Sequence, residues 1–175
     1  MIIVAVDPGM STGIACMEMD DDGNIQAWIT AQIEGGLNGL LDSPWAQIIC
    51  EAEKVVFEVF TPRPMARNYR SDELEPLRIE GAVRMLRIGL NDQTIFQRPE
   101  ARSILRDEPM SESVNFLKYM GMHSTGKSVG KKDANDANAA MLHLVAYLRD
   151  THNLAILARI EHALEDKLTG EVPVD

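Results

Sequence analysis

Four acidic residues have the types and positions that a hydrolytic metal site requires: Asp7, Glu58, Asp133 and Asp136. Asp7 ends an apolar run and precedes Pro8, so its carboxylate stands where the strand stops and the backbone turns. Asp133 and Asp136 are three residues apart at the predicted start of a helix, which places both on one face. Clustered carboxylate oxygens favour hard cations such as Mg²⁺ or Mn²⁺. Two such ions can hydrolyse a phosphodiester by activating a water molecule and stabilising the leaving oxygen.

Glu58 is the most informative of these residues because it lies inside an apolar run, with Phe57 before it and Val59 after it. An ionised carboxylate without a partner costs several kcal/mol in such surroundings. Glu58 therefore needs a cation, which a metal ion or an arginine can supply. The alternative is an exposed edge strand that turns Glu58 towards water.

The other three acids each have a structural alternative. Asp7 can begin a turn through a hydrogen bond from its side chain to the backbone. Asp133 can cap a helix, and Asp136 is favoured near a helix N-terminus by the macrodipole. These interpretations explain each residue singly and stay open.

The elements that must position the acids begin with three β-rich segments, at residues 2–7, 12–19 and 25–33. The last two are joined by a turn with Gly23 and Asn24, so the chain is predicted to open as an antiparallel meander. Residues 55–60 read as a fourth strand covered on both faces, and residues 93–97 as a fifth.

Helical patterns follow the strands. Helices are predicted at 37–53, with a break at Ser43-Pro44, and at 72–90, and a strong helix from Asp133 to about residue 149. The order of these strands and helices along the chain predicts an α/β fold, with a mixed five-stranded sheet and helices on both faces. Residues 1–150 are expected to form one domain, and residues 151–175 a C-terminal helical extension of it.

The net charge of −10 argues against a nucleic-acid partner, yet the basic residues are concentrated in mid-chain. Residues 61–132 carry thirteen basic residues against nine acidic ones, whereas residues 1–60 carry one against ten. Such residues can contact DNA phosphates, and three solvated faces are the alternative. The clusters are Arg63, Arg67 and Arg70; Arg98, Arg102 and Arg106; and Lys127, Lys131 and Lys132.

Three motifs, in this order and on these elements, resemble the RuvC family of Holliday junction resolvases. They are Asp7-Pro8-Gly9-Met10-Ser11-Thr12-Gly13, Phe57-Glu58-Val59-Phe60 and Lys132-Asp133-Ala134-Asn135-Asp136-Ala137. The resemblance implies a ribonuclease H-like fold, a homodimer that acts on four-way DNA junctions, and Mg²⁺-dependent hydrolysis by the four acids. A nuclease for forks, flaps or other branched DNA stays open, as does a module that binds branched DNA without cutting it.

Several other classes are disfavoured. The pattern GxxxxGK[ST] at residues 121–128 lacks the preceding strand and following helix of a nucleotide-binding loop, so no nucleotide cofactor is expected. No spacing suits zinc, and His143 is interpreted as a core or surface imidazole. Without a signal peptide or membrane span, and with only Cys16 and Cys50, a cytoplasmic protein is expected. The resemblance to the RuvC family implies a bacterial cell and the phage-encoded form of the family.

Overall fold

A computed structural model describes residues 1–23, 25–60, 70–90, 93–102, 117–118, 121–124 and 135–151. Within these ranges five strands form one sheet in the order β3-β2-β1-β4-β5. They are β1 (Ile2–Asp7), β2 (Ser11–Met19), β3 (Ile25–Glu34), β4 (Lys54–Glu58) and β5 (Thr94–Gln97). β1, β2 and β3 are antiparallel, whereas β1 pairs in parallel with β4, and β4 with β5. The predicted meander with parallel strands beside it is confirmed.

In the described part of the chain the strands are connected or covered by α1 (Gly36–Leu41), α2 (Trp45–Glu51), α3 (Glu75–Leu86) and α4 (Asn135–Asp150). The break predicted at Ser43-Pro44 separates α1 from α2, and the Ser43 hydroxyl accepts a hydrogen bond from the Trp45 amide at 3.3 Å. The helix predicted from residue 72 instead begins with a 3-10 turn, and α3 ends before Gly89, whose φ of 89° is not helical.

The helices build one apolar core on each face of the sheet. On one face α4 packs against inward residues of β1, β2 and β4, such as Ala5 and Val56, and Leu117 and Met122 join this core. On the other face α1, α2 and α3 pack against the alternate residues, such as Val6 and Phe57. The prediction of helices on both faces is therefore confirmed.

The predicted C-terminal extension lies, apart from Thr151, outside the described residues and stays a prediction. No helix in the described ranges is long and apolar enough to cross a membrane.

A buried arginine ties three elements together next to β5. Arg87 follows α3, is only 1% exposed, and burial lowers the pKa of its guanidinium. Its Nη1 donates to the carbonyl oxygens of Ile49 and Ala52, each at 2.8 Å, and its Nε donates to Thr94 Oγ1 at 2.9 Å. The C-terminal ends of α2 and α3 and the start of β5 are thus joined by one side chain.

We expect the substitution Arg87→Met to lower the free energy of unfolding by about 3 kcal/mol, because buried oxygens lose their donor at about 1–3 kcal/mol each and the loss of a buried charge offsets part of the cost. Arg70→Met removes an exposed guanidinium and should change stability by no more than about 0.5 kcal/mol. Urea denaturation of both variants measures the difference. Equal stability of the two variants would show that the hydrogen bonds of Arg87 contribute little.

Candidate active site

Asp7 and Glu58 end neighbouring parallel strands and face the same side of the sheet. Val6 of β1 pairs with Phe57 of β4, so Asp7 and Glu58 are the next residues in register. Because side chains alternate along a strand, Asp7 points with Ala5, towards the face that α4 covers. The pairing of β1 with β4 therefore brings together two acids that lie far apart in the sequence.

The start of α4 brings Asp136 to the same place. Gly13 of β2 pairs with Asp7, and a Cβ atom on Gly13 would lie 1.9 Å from the backbone oxygen of Asp136. The first turn of α4 thus rests directly on β2, with no room for a side chain between them. Burial and the charge of Glu58 are the main causes that raise the pKa of Asp7, and the negative charge of Asp136 adds to them.

The turn after Asp7 is held by Thr12, which is fully buried. The Thr12 hydroxyl donates to the Gly9 carbonyl oxygen at 3.0 Å and accepts from the Gly9 amide at 3.4 Å. These hydrogen bonds close the short connection between β1 and β2. They fix the point at which the Asp7 carboxylate leaves the sheet.

Glu58 is 8% exposed and has a nitrogen partner at each carboxylate oxygen. Arg102 Nη2 donates to Oε1 at 3.1 Å, and His143 Nε2 lies 2.6 Å from Oε2. Arg102 also approaches Asp7, with Nη1 at 4.0 Å from Oδ2. The prediction that Glu58 requires a cationic partner is thus met by an arginine, with a histidine at the second oxygen.

The two carboxyl groups differ in proton affinity. Burial, then the charge of Glu58, raises the pKa of Asp7 to about 8, although Arg102 acts in the opposite direction. Burial also acts to raise the pKa of Glu58, but the hydrogen bond and charge of His143, together with Arg102, outweigh it and lower that pKa. In the absence of a metal, the proton therefore resides on Asp7, hydrogen-bonded to an ionised Glu58.

The structure brings together only part of the predicted site. Asp7, Glu58 and Asp136 converge with Arg102, which was predicted from its charge cluster to contact DNA. Arg70 has an exposed side chain 3.3 Å from Asp72, and Arg98 is exposed just after β5. The remaining predicted site residues lie outside the described ranges: Asp133, Arg63, Arg67, Lys127, Lys131 and Lys132.

No group of three acidic, histidine or cysteine side chains in the described ranges is arranged to enclose a metal ion. Arg102 contacts Glu58 and approaches Asp7, so a cationic side chain already lies beside these two acids. Metal binding at these acids requires this guanidinium to move.

Sequence reasoning missed two residues of the site, His143 and Gln97. His143 follows Asp136 by seven residues, which is two helical turns and therefore the same face of α4. That spacing was the available signal. The sequence carried no such signal for Gln97, because Gln97 comes to lie beside Glu58 only through the pairing of β4 with β5.

No protein-family model matches the chain, and no curated protein matches it. Several solved structures do match the chain. The yeast mitochondrial Holliday junction resolvase Ydc2 aligns with a TM-score of 0.55 and 12% identity, over 93% of this chain and 81% of that one. RuvC of Thermus thermophilus aligns with a TM-score of 0.46 and 15% identity, over 86% and 97% of the two chains.

The Holliday junction resolvase of fowlpox virus aligns with a TM-score of 0.47 and 13% identity, over 86% of this chain and 99% of that one. At such identities the likeness is one of fold, and the alignment with the yeast enzyme is the one that supports it. The ribonuclease H-like α/β fold expected from the sequence is thereby confirmed.

Proposed function

We propose that the chain is a metal-dependent endonuclease that cuts branched DNA, with the four-way junction as its substrate. The fold that it shares with the yeast mitochondrial Holliday junction resolvase is the starting point. The observation that carries the proposal is the convergence of Asp7, Glu58 and Asp136 at the ends of two parallel strands and the start of one helix. Carboxylates carried on rigid elements at one end of the sheet are suited to hold a cation once Arg102 has moved away from Asp7 and Glu58.

The chemistry of these residues fits a divalent metal. All three are carboxylates, which are the ligands that Mg²⁺ prefers, and Mn²⁺ would substitute for it. Burial, then the negative charge of Glu58, raises the pKa of Asp7 to about 8, and a divalent ion at this position would favour the ionised form of Asp7. We assign Asp7, Glu58 and Asp136 as ligands, with Asp133 as the fourth by resemblance to the RuvC family. When bound, the metal supplies an activated water and stabilises the leaving 3′ oxygen.

Arg102 is proposed to exchange its partners when metal and DNA bind. Its side chain is 31% exposed, so the guanidinium has access to solvent while it contacts Glu58. A guanidinium that leaves a carboxylate can bind a phosphate with the same paired donors. We propose the same DNA contact for the other residues of the basic clusters, namely Arg63, Arg67, Arg70, Arg98, Lys127, Lys131 and Lys132.

A homodimer is part of the proposal, because a four-way junction is cut at two symmetric positions in the RuvC family. The region of α3 exposes apolar side chains that a partner subunit could cover: Leu77, Met85 and Ile88 are 41%, 69% and 76% exposed. Two copies related by a twofold axis would present one active site to each of two strands.

Cleavage of labelled four-way, three-way and linear duplex DNA, each with Mg²⁺, with Mn²⁺ and with EDTA, tests the proposal. We expect the wild type to cut branched DNA only when metal is present. The variant Glu58→Gln should cut at least about 100-fold more slowly, a larger loss than that of an outer-shell partner, because it replaces a ligand. Binding of the uncut junction in Ca²⁺ should persist in this variant.

Glu18→Gln is the matched control, since Glu18 is exposed on β2 of the same sheet. It should cut at the wild-type rate. Tight junction binding by the wild type without cleavage in any metal would favour the non-catalytic binding module. Equal cleavage of linear duplex would contradict selectivity for branched DNA.

A further inference from the structure

His143 is fully buried in α4 and bridges two side chains of the sheet. Its Nε2 lies 2.6 Å from Glu58 Oε2, and its Nδ1 lies 2.7 Å from Gln97 Oε1. Glu58 and Gln97 are paired residues of the parallel strands β4 and β5, so they point to the same face. The imidazole thus spans the ends of two strands from the helix above them.

Both ring nitrogens are held, which fixes the plane of the ring. An ionised Glu58 accepts only, so Nε2 must be the donor in that hydrogen bond. The Gln97 amide can turn either its oxygen or its nitrogen towards Nδ1, and it therefore satisfies that atom whether or not a proton is there. A buried imidazole with both nitrogens paired is a rigid support for the carboxylate that it contacts.

The two partners of Glu58 differ in their access to solvent. Arg102, on Oε1, is 31% exposed, whereas the side chain of His143, on Oε2, is 0% exposed. Arg102 can leave its carboxylate oxygen without disturbing the core. His143 cannot, because it is packed within α4 on the sheet.

We propose that His143, itself held by Gln97, is a positioning residue that fixes Oε2 of Glu58, so that Oε1 would be available to a metal ion once Arg102 leaves it. The inference rests on the proposed function, in which Glu58 is a metal ligand. It assigns to α4 two contributions to the site, the ligand Asp136 in its first turn and the support of Glu58 two turns later. Histidines that orient carboxylates in this way contribute to metal affinity without touching the metal.

Three substitutions of His143 separate positioning from packing. His143→Gln can place an amide nitrogen near the position of Nε2 and keep the donor to Glu58. His143→Asn is shorter and reaches only the position of Nδ1, towards Gln97. His143→Leu fills the space without any donor, and Met141→Leu is the control for a volume-conserving change in the same buried helix.

The role of His143 is tested by measuring Mn²⁺ affinity by calorimetry and by electron paramagnetic resonance. Junction cleavage is measured as a function of metal concentration. Junction binding in Ca²⁺ and thermal melting are measured alongside. We expect His143→Leu and His143→Asn to weaken Mn²⁺ binding by about 10- to 100-fold, and His143→Gln and Met141→Leu to stay within about threefold of the wild type. Junction binding in Ca²⁺ should be unchanged in all four.

Wild-type Mn²⁺ affinity in folded His143→Asn, or equal losses in His143→Gln and His143→Asn, would overturn the inference. If His143→Leu does not fold, the comparison of His143→Gln with His143→Asn still tests whether His143 positions Glu58. A wild type that binds Mn²⁺ with the expected order of variants but cuts no DNA would refute the proposed nuclease and leave the positioning role standing. A wild type that binds no Mn²⁺ would overturn both.

Discussion

The substitution Asp7→Asn is expected to remove a pH dependence of stability from the metal-free protein. The pKa of Asp7 is raised to about 8 in the folded protein, whereas an aspartate in the unfolded chain titrates near its ordinary value of 3.8. Between these values the native state holds a proton that the unfolded state has released. The free energy of unfolding therefore falls as the pH rises through this window, by up to about 1.4 kcal/mol per pH unit.

Asparagine carries no titrating proton and keeps an amide donor for Glu58. The variant should thus gain stability relative to the wild type steadily from pH 4 to pH 8. The groups that face Asp7 are Glu58, Asp136 and Arg102, and all three remain in the variant. Urea denaturation of the wild type and Asp7→Asn in EDTA, at four or five pH values, measures the difference in their free energies of unfolding.

Metal should reduce the stability difference between the wild type and Asp7→Asn. At pH 8, Mg²⁺ should stabilise the wild type by binding the folded state, while Asp7→Asn, which lacks a ligand, should gain little. Asp21→Asn removes the same charge from the exposed turn after β2 and serves as the control. Stability profiles of the wild type and Asp7→Asn that run parallel in EDTA would show that Asp7 is not protonated in the folded protein.

The second large effect is expected from Gly13→Ala. An added Cβ would lie 1.9 Å from the backbone oxygen of Asp136 and 2.7 Å from the amide nitrogen of Ala137. These are backbone atoms of α4, so relief requires the helix to move off β2. We expect a loss of about 3 kcal/mol in the free energy of unfolding, from overpacking. The displacement of Asp136 from Asp7 should also slow cleavage by about 100-fold.

Gly81→Ala provides a contrast of the same chemical change. Nothing lies within 4 Å of a Cβ built on Gly81, which is an exposed position of α3. Alanine there should stabilise the protein by up to about 1 kcal/mol, because it is the better helix former. Thermal melting and junction cleavage of both variants measure the effects. Wild-type cleavage by Gly13→Ala would mean that the contact of α4 with β2 does not position the site.

The sequence predicted the sheet well because its signals are local. Apolar runs and the turn with Gly23 are enough to place β1, β2 and β3, and their adjacency follows from short connections. The need of Glu58 for a cation was also local, since its neighbours in β4 are apolar. The identity of that cation could not be predicted from local sequence. Arg102 and Glu58 are 44 residues apart and meet only because β4 pairs with β5.

The same limit explains why some residues of the candidate site were missed, and why the contacts of Arg102 with the acids were not predicted. Charge clustering predicted that Arg102 contacts DNA, but a charge pattern cannot tell whether a guanidinium faces solvent or a buried acid. The periodicity of α4 predicted its buried face and left His143 as an unremarkable imidazole. Only the register of Glu58 with Gln97 gives that ring its two partners.

The central position of β1 has a consequence for how the site forms. β1 is paired on both sides, with β2 and β4, and its residues Ile3, Val4, Ala5 and Val6 are at most 1% exposed. The amide protons of such a strand exchange with solvent only when the whole domain unfolds. Asp7 is therefore attached to the segment that exchanges last, and local opening of the chain cannot separate it from Glu58. We expect the metal to enter a preformed site, at a rate set by the departure of Arg102 rather than by folding of the chain around the ion.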